Sequence, residues 1–359
     1  MGKERYMITG YALTHFLVDF ACAFLIFRAF RDSEDLYICF LVYNFCAFAL
    51  QMPLGLLADQ FNKNALCAAL GCVLIALSYG VTSIPVAAVV VAGAGNGLFH
   101  IGSGIDVLNV SRGKAGPLGA FVSPGALGVF IGKLLGKEGG ISLVPVAVVM
   151  LAAAALILLL RFEKGKYYAS DNVPVSLVKP GAPAAFFAAA CLFIVVCVRS
   201  YAGMTLDFPW KAGGCWGWAL VFAVVLGKTA GGFLADKFGA LKTSAASLVL
   251  SAALFLLPDA PPAGTAAVFL FNMTMPVTLW AMAGLFPGAK GFSFGLLTFG
   301  LFLGFLPVYL SCPPIPATGA GFALAALVSL VLLIAGLALL ISHKRRAPGR
   351  LPAGRGRDL

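Results

Sequence analysis

The sequence predicts an all-α membrane protein with twelve transmembrane helices in two pseudo-symmetric six-helix halves. Three observations carry that expectation. The 359 residues are 61% hydrophobic and 11% charged. A soluble globular chain carries about 25% charged residues, so most of this one belongs in lipid. Apolar runs of about 20 residues, the length that crosses a bilayer core, recur along the whole chain. One short motif also occurs twice, about half a chain length apart, as an internal duplication requires.

In order, the runs are 7–30, 34–57, 64–82, 84–109, 115–136, 141–161, 184–205, 212–235, 241–257, 264–286, 290–311 and 317–342. The first follows Met1–Tyr6 and has no small-residue cleavage site, so it reads as a retained span rather than a signal peptide. The longest polar stretch, from Arg161 to Pro183 with Lys164, Lys166, Asp171, Lys179, Pro174 and Pro180, falls at mid-chain. It divides the protein into an N-terminal half (1–161), a cytoplasmic linker (162–183) and a C-terminal half (184–342), followed by a basic tail (343–359).

Charge sets the orientation. Lys63, Arg112, Lys114, Lys164, Lys166, Lys237, Lys242 and Lys290 follow even-numbered spans, and the tail adds Lys344, Arg345, Arg346, Arg350, Arg355 and Arg357. The opposite loops are poor in positive charge, Lys137 and Lys211 excepted. The positive-inside rule puts both termini in the cytoplasm. The net charge of +11 thus serves membrane orientation and lipid head groups, not nucleic acid. Short loops point to a multi-pass protein of a prokaryotic cell (inner) membrane. The nine cysteines lie mostly inside apolar runs without a CxxC pair, and read as packing residues.

The repeated motif is Gly55-Leu56-Leu57-Ala58-Asp59-Gln60-Phe61-Asn62-Lys63 and Gly232-Phe233-Leu234-Ala235-Asp236-Lys237-Phe238-Gly239. Each Gly lets two helices approach. Each Asp can accept N–H bonds from a positive helix terminus, and Lys63 and Lys237 hold the turn at the cytoplasmic side. This resembles the loop signature of the major facilitator superfamily; Gln60 and Asn62 depart from it. The resemblance implies the major facilitator fold, alternating access about a central site, and gating roles for Gly55, Asp59, Lys63, Gly232, Asp236 and Lys237.

Ionisable groups inside spans are functional candidates, because insertion costs about 2.5–3.5 kcal/mol each. His15 and Asp19 share a helical face with Cys22. Span 4 holds Asn96, His100 and Ser103, with Asp106 a turn further on. Thr14-His15-Phe16-Leu17-Val18-Asp19, Gly97-Leu98-Phe99-His100, Val198-Arg199-Ser200 and the Gly-rich 121–132 stretch are similar to the fosmidomycin-resistance branch of that superfamily. Ile101, Gly102, Ile105 and Lys133 stand where the branch carries other residues, so its drug substrate does not carry over. The resemblance implies that His15, Asp19 and His100 converge on the central cavity. A carboxylate beside imidazoles suits proton coupling; a packed polar pair joining two helices is the alternative.

Lys133, Arg199 and Lys228 are the buried-span cations. Arg suits phosphonate or carboxylate, and the alternatives are pairing of Arg199 and Lys228 with Asp207 or Asp236, or snorkelling. Asn272, Thr274, Thr278 and Trp280 surround Pro276 in span 10, where a missing N–H permits bending. The candidate substrate-binding set is therefore Asn96, Ser103, Asp106, Lys133, Arg199, Asn272 and Trp280.

The function expected is secondary active transport of a small solute, proton-coupled, by a monomer without cofactor. Export is favoured by the branch resemblance and by Ser123-Pro124-Gly125, which resembles an antiporter pattern. Uptake of a small organic anion is the runner-up. A third reading makes His15, Asp19, Cys22 and His100 ligands of a divalent transition metal. An enzyme is not expected, since no HExxH and no nucleotide-binding Gly-x-x-x-x-Gly-Lys-(Ser/Thr) motif is present. A non-transporting sensor would need a folded signalling domain, for which the loops and tail are too short.

Overall fold

The computed structural model describes residues 2–160 and 183–346, all of them helical or in short connections. The N-terminal half holds α1 (Gly2–Ala29), α2 (Leu36–Phe61), α3 (Asn64–Val81), α4 (Pro85–Val110), α5 (Gly116–Glu138) and α6 (Leu143–Leu160). The C-terminal half holds α7 (Pro183–Thr205), α8 (Trp216–Phe238), α9 (Ala240–Phe255), α10 (Pro261–Leu285), α11 (Lys290–Tyr309) and α12 (Gly319–Arg346). Ten of these are long and apolar enough to cross a membrane; α6 and α9 are shorter apolar helices. The linker expected at 162–183 lies, apart from Pro183, outside the described residues, as do Arg350, Arg355 and Arg357.

Apolar side chains cover the outside as well as the core. Leu159, Phe186, Phe187 and Val331 are each more than half exposed, as lipid-facing positions are. In each half, helices pack closely through small residues. The row Gly128, Gly132 and Gly136 on α5 lies directly on the main chain of α1, where a Cβ would collide with the carbonyls of Phe16 and Phe20. The halves meet along two seams, α2 with α11 and α5 with α8.

Three helices depart from the expected regularity. α2 contains a π turn at Phe45–Ala49, which shifts the register of its second part. It also continues to Phe61, so Asp59 sits in a helix rather than in a loop. Asp236 likewise lies inside α8. The helices stop just beyond, at left-handed Asn62 (φ 49°) and at Gly239 (φ 91°). α10 breaks after Asn272 and resumes at Met275. Pro276 begins the second piece, where its missing N–H is harmless, and α8 packs into the break, with Gly231 against Met273.

Candidate functional site

Near the middle of the N-terminal half, α1 and α4 bring His15, Asp19 and His100 together. His15 Nε2 lies 3.1 Å from Asp19 Oδ2 and 2.9 Å from His100 Nε2. His100 Nε2 is also 3.8 Å from Asp19 Oδ1. His15 and His100 are 5% and 7% exposed, and their rings meet edge to face. Asn96 Nδ2 donates to Asp19 Oδ1 at 3.0 Å.

The outer nitrogens of both rings are committed elsewhere. His15 Nδ1 is 2.8 Å from the Phe121 carbonyl. His100 Nδ1 is 2.8 Å from the Asn96 carbonyl of its own helix. A carbonyl only accepts, so both Nδ1 atoms carry their protons. In the neutral rings both Nε2 atoms then bear lone pairs, which point at one another and at a carboxylate. Three electron-rich atoms converge on one spot, and no donor lies among them. Such a cluster requires one added cation.

α5 supplies the wall. Pro124 lies inside that helix, and its missing N–H leaves the Ala120 carbonyl without its helical donor. Gly125 lies against the cluster, and a Cβ there would collide with Asp19 Oδ2 and His15 Nε2.

A separate small pocket opens beside Arg199, lined by Thr278, Thr298, Met275 and Phe294 of the C-terminal half and by Val122 of α5. Arg199 is 8% exposed. Its Nη1 and Nη2 reach Thr278 Oγ1 only at 3.4 and 3.5 Å. Among the described residues Arg199 has no ion-pair partner, and neither has Lys228. The expected pairings are excluded because Asp207 pairs with Lys211 at 3.3 Å and Asp236 bonds main-chain N–H groups of α5. Lys228 lies within electrostatic reach of both Arg199 and Asp19.

One end of the bundle, the end carrying the described termini, is closed by a symmetric pair of bonds between halves. Asp59 Oδ1 and Oδ2 accept from Gly291 and Phe292 N–H at 2.8 and 2.9 Å, at the start of α11. Asp236 Oδ1 and Oδ2 accept from Ala115 and Gly116 N–H at 2.8 Å each, at the start of α5. Each carboxylate thus sits on the positive end of a helix of the opposite half. The motif glycines let the seams close, with Gly55 on Gly291 and Gly232 on Ala115. Lys290 adds a bond to Asn109 Oδ1 at 2.6 Å. Lys63 is exposed, and exposed Lys237 lies over the Phe238 ring. At the other end Tyr37 and Tyr309 stack with ring centroids 3.9 Å apart.

Several expected substrate residues lie elsewhere. Ser103 donates to the Phe99 carbonyl at 2.6 Å. Asp106 is 2% exposed and accepts from Tyr11 Oη and Asn64 Nδ2, both at 2.8 Å; it joins α1, α3 and α4 within one half. Lys133 is exposed near Lys137, 5.3 Å from the Phe27 ring centre. Asn272 donates to Val268 O at 2.9 Å in its own helix. Trp280 Nε1 donates to the Gly113 carbonyl at 2.5 Å, across the closed end. Cys22 is turned toward Ala92 O and Asn96 at 3.9 and 3.8 Å. It stands apart from the three atoms that could share an ion, those of His15, Asp19 and His100. Sequence reading missed Thr298, Phe294 and Val122 of the pocket, and Asn109 at the closed end.

No family profile and no curated protein sequence matches the chain. Solved structures do match. The fucose:proton symporter of E. coli superposes with a TM-score of 0.61 at 13% identity, covering 91% of this chain and 97% of the symporter. The same transporter in its outward conformation gives 0.62 at 14% identity, with 92% and 99% covered. A bacterial homologue of the iron transporter ferroportin, outward-facing, gives 0.58 at 14% identity, with 95% and 100% covered. With twelve helices in two matching halves, and seams closed by paired carboxylates, the chain has the fold of the major facilitator superfamily transporters.

Proposed function

We propose that the protein is a secondary active transporter of a small solute that works by alternating access and is coupled to protons. The observation that carries this reading is the convergence of two imidazole lone pairs and a carboxylate at His15, His100 and Asp19. The cation that fits at 2.9 Å between two nitrogens is a proton, shared as in a hydrogen-bonded imidazole–imidazolium pair. Loading and unloading that proton changes the charge between α1, α4 and α5, and so biases one arrangement of the halves over the other. Around it stand Asn96, Cys22 and, from the C-terminal half, Lys228. The Asp59 and Asp236 bonds hold the end bearing the termini shut; by the placement of Lys and Arg this end is cytoplasmic.

The chain has only three histidines, so ¹⁵N-histidine NMR of the protein in nanodiscs, with His343→Gln removing the third, reads the site directly. Expected are protonated Nδ1 on both rings and, in the proton-loaded state, a single Nε2 proton shared between them. In proteoliposomes loaded with a pH dye, solute-driven proton movement should vanish in Asp19→Asn. Movement that survives this change overturns the coupling assignment.

The same three atoms favour a second reading, in which the solute is a divalent transition metal. Bonds of about 2.1 Å place neighbouring ligand atoms of a tetrahedral site about 3.4 Å apart, and the spacings of 2.9, 3.1 and 3.8 Å bracket that value. Co²⁺ titration separates the two. A visible ligand-field spectrum abolished by His100→Ala supports the metal, and a spectrum identical to aqueous Co²⁺ removes it. Export, the direction favoured by the branch resemblance, requires that solute and proton oppose one another's binding.

A further inference from the structure

Arg199 lies in the membrane interior with no ion-pair partner among the described residues. Arg199 is 8% exposed. Its planar fork faces one hydroxyl, at distances of 3.4 and 3.5 Å that make weak bonds. That hydroxyl already donates to the Met275 carbonyl at 2.7 Å, so it is oriented to accept and leaves most of the guanidinium donors unmatched. A buried, unpaired charge is costly to hold. A site of this kind becomes favourable when an anion enters it.

The pocket beside Arg199 defines what else the anion carries. Apart from Arg199, Thr278 and Thr298, its walls are apolar, including Met275, Phe294 and Val122. A planar, two-oxygen anion matches the guanidinium fork; an apolar body matches the rest. We infer that the transported solute is a small monocarboxylate with an apolar body, held by Arg199. The inference rests on the transporter reading and names its substrate class.

The neighbourhood gives the coupling its sign. Val122 lines the pocket, and the preceding residue, Phe121, receives His15. The groups around the proton are His15, His100, Asp19, Cys22 and Tyr43 from the N-terminal half and Lys228 from the other. A proton there adds positive charge beside a site for an anion, so proton and carboxylate favour one another's binding. That is the linkage of symport, and it favours uptake over the export direction expected from the branch resemblance.

The test compares ligands on the unaltered protein first. Benzoate, phenylacetate and hexanoate, each beside its neutral amide and the matching primary amine, are added to the purified protein in detergent, and the unfolding temperature is read. Expected is a rise with the carboxylates, larger at lower pH, and none with amides or amines. Arg199→Gln should abolish the rise; Arg199→Lys should weaken binding at least tenfold while leaving the protein folded. Equal stabilisation by amide and carboxylate, or by none of the panel while another solute drives protons in proteoliposomes, overturns the carboxylate site and leaves the transporter standing. Carboxylate binding that depends on Arg199, with no flux of any carboxylate in either direction, instead overturns the transporter reading.

Discussion

Replacing Asp59 and Asp236 by Asn tests the closed end of the bundle most directly. Each carboxylate accepts two main-chain N–H bonds, at 2.8 and 2.9 Å for Asp59 and 2.8 Å twice for Asp236. A hydrogen bond to a charged group contributes about 1.5–3 kcal/mol, and a negative charge at a helix N-terminus adds about 0.3–1 kcal/mol. Asn keeps one acceptor but turns an NH₂ toward the second donor, so about 2 kcal/mol is lost at each seam. At about 1.4 kcal/mol per tenfold, one substitution shifts the closed-to-open ratio about 30-fold. The two sites lie on different seams, so their effects should add. Spin labels at Lys114→Cys and Lys242→Cys, one on each half at this end, report the separation by pulsed electron paramagnetic resonance. The exposed Cys215 and Cys312 are first replaced by Ser. Expected is a longer distance population that grows from wild type to single to double variant. One unchanged short distance in the double variant would refute the latch.

Three further outcomes follow from the geometry. Asp106→Asn should lower the unfolding temperature, with a loss of about 1–3 kcal/mol, because Tyr11 and Asn64 both lose a charged acceptor; solute affinity measured in the folded state should not change. Gly125→Ala should disturb the ¹⁵N signals of His15 and stop proton movement, since the added methyl collides with His15 and Asp19; normal proton movement in this variant would mean that α5 does not pack on the cluster. Lys133→Ala should leave carboxylate binding unchanged in the thermal assay, because that side chain is exposed over Phe27.

The spans were legible because lipid imposes a length and excludes charge. The i,i+4 spacing also placed His15 beside Asp19, and the motif's Asp residues announced helix ends. What sequence could not supply was the radial direction of a polar residue. Inside a membrane the outer face of a helix is as apolar as the inner one, so periodicity does not tell a pocket from a packed interior. Ser103 and Asn272 look like site residues by type, yet each bonds a carbonyl of its own helix. Asp106 is the sharper case. It is a carboxylate in a span, the strongest functional signal available, yet Tyr11 and Asn64 satisfy it within one half. Thr298 and Phe294 carry no signal at all; only the meeting of α7, α10 and α11 makes them neighbours of Arg199. The facing lone pairs of His15 and His100 are set by two main-chain carbonyls, and no sequence pattern records those.

One helix touches every part of this machinery. The start of α5 is bound by Asp236 through Ala115 and Gly116. Further along, its Phe121 carbonyl holds His15, Val122 lines the Arg199 pocket, and Gly125 abuts Asp19. From 115 to 125 the helix rises only about 15 Å, and a helix of that length moves as a rigid rod. Opening the Asp236 seam should therefore move the carbonyl that fixes His15, while His100, bonded within α4, keeps its own. The expected result is selective: Asp236→Asn shifts the His15 Nδ1 resonance more than that of His100, and Asp59→Asn, which acts on α11, shifts neither directly. Equal shifts of both histidines in both variants would mean that the gate reaches the proton site through the movement of whole halves, with no special role for α5.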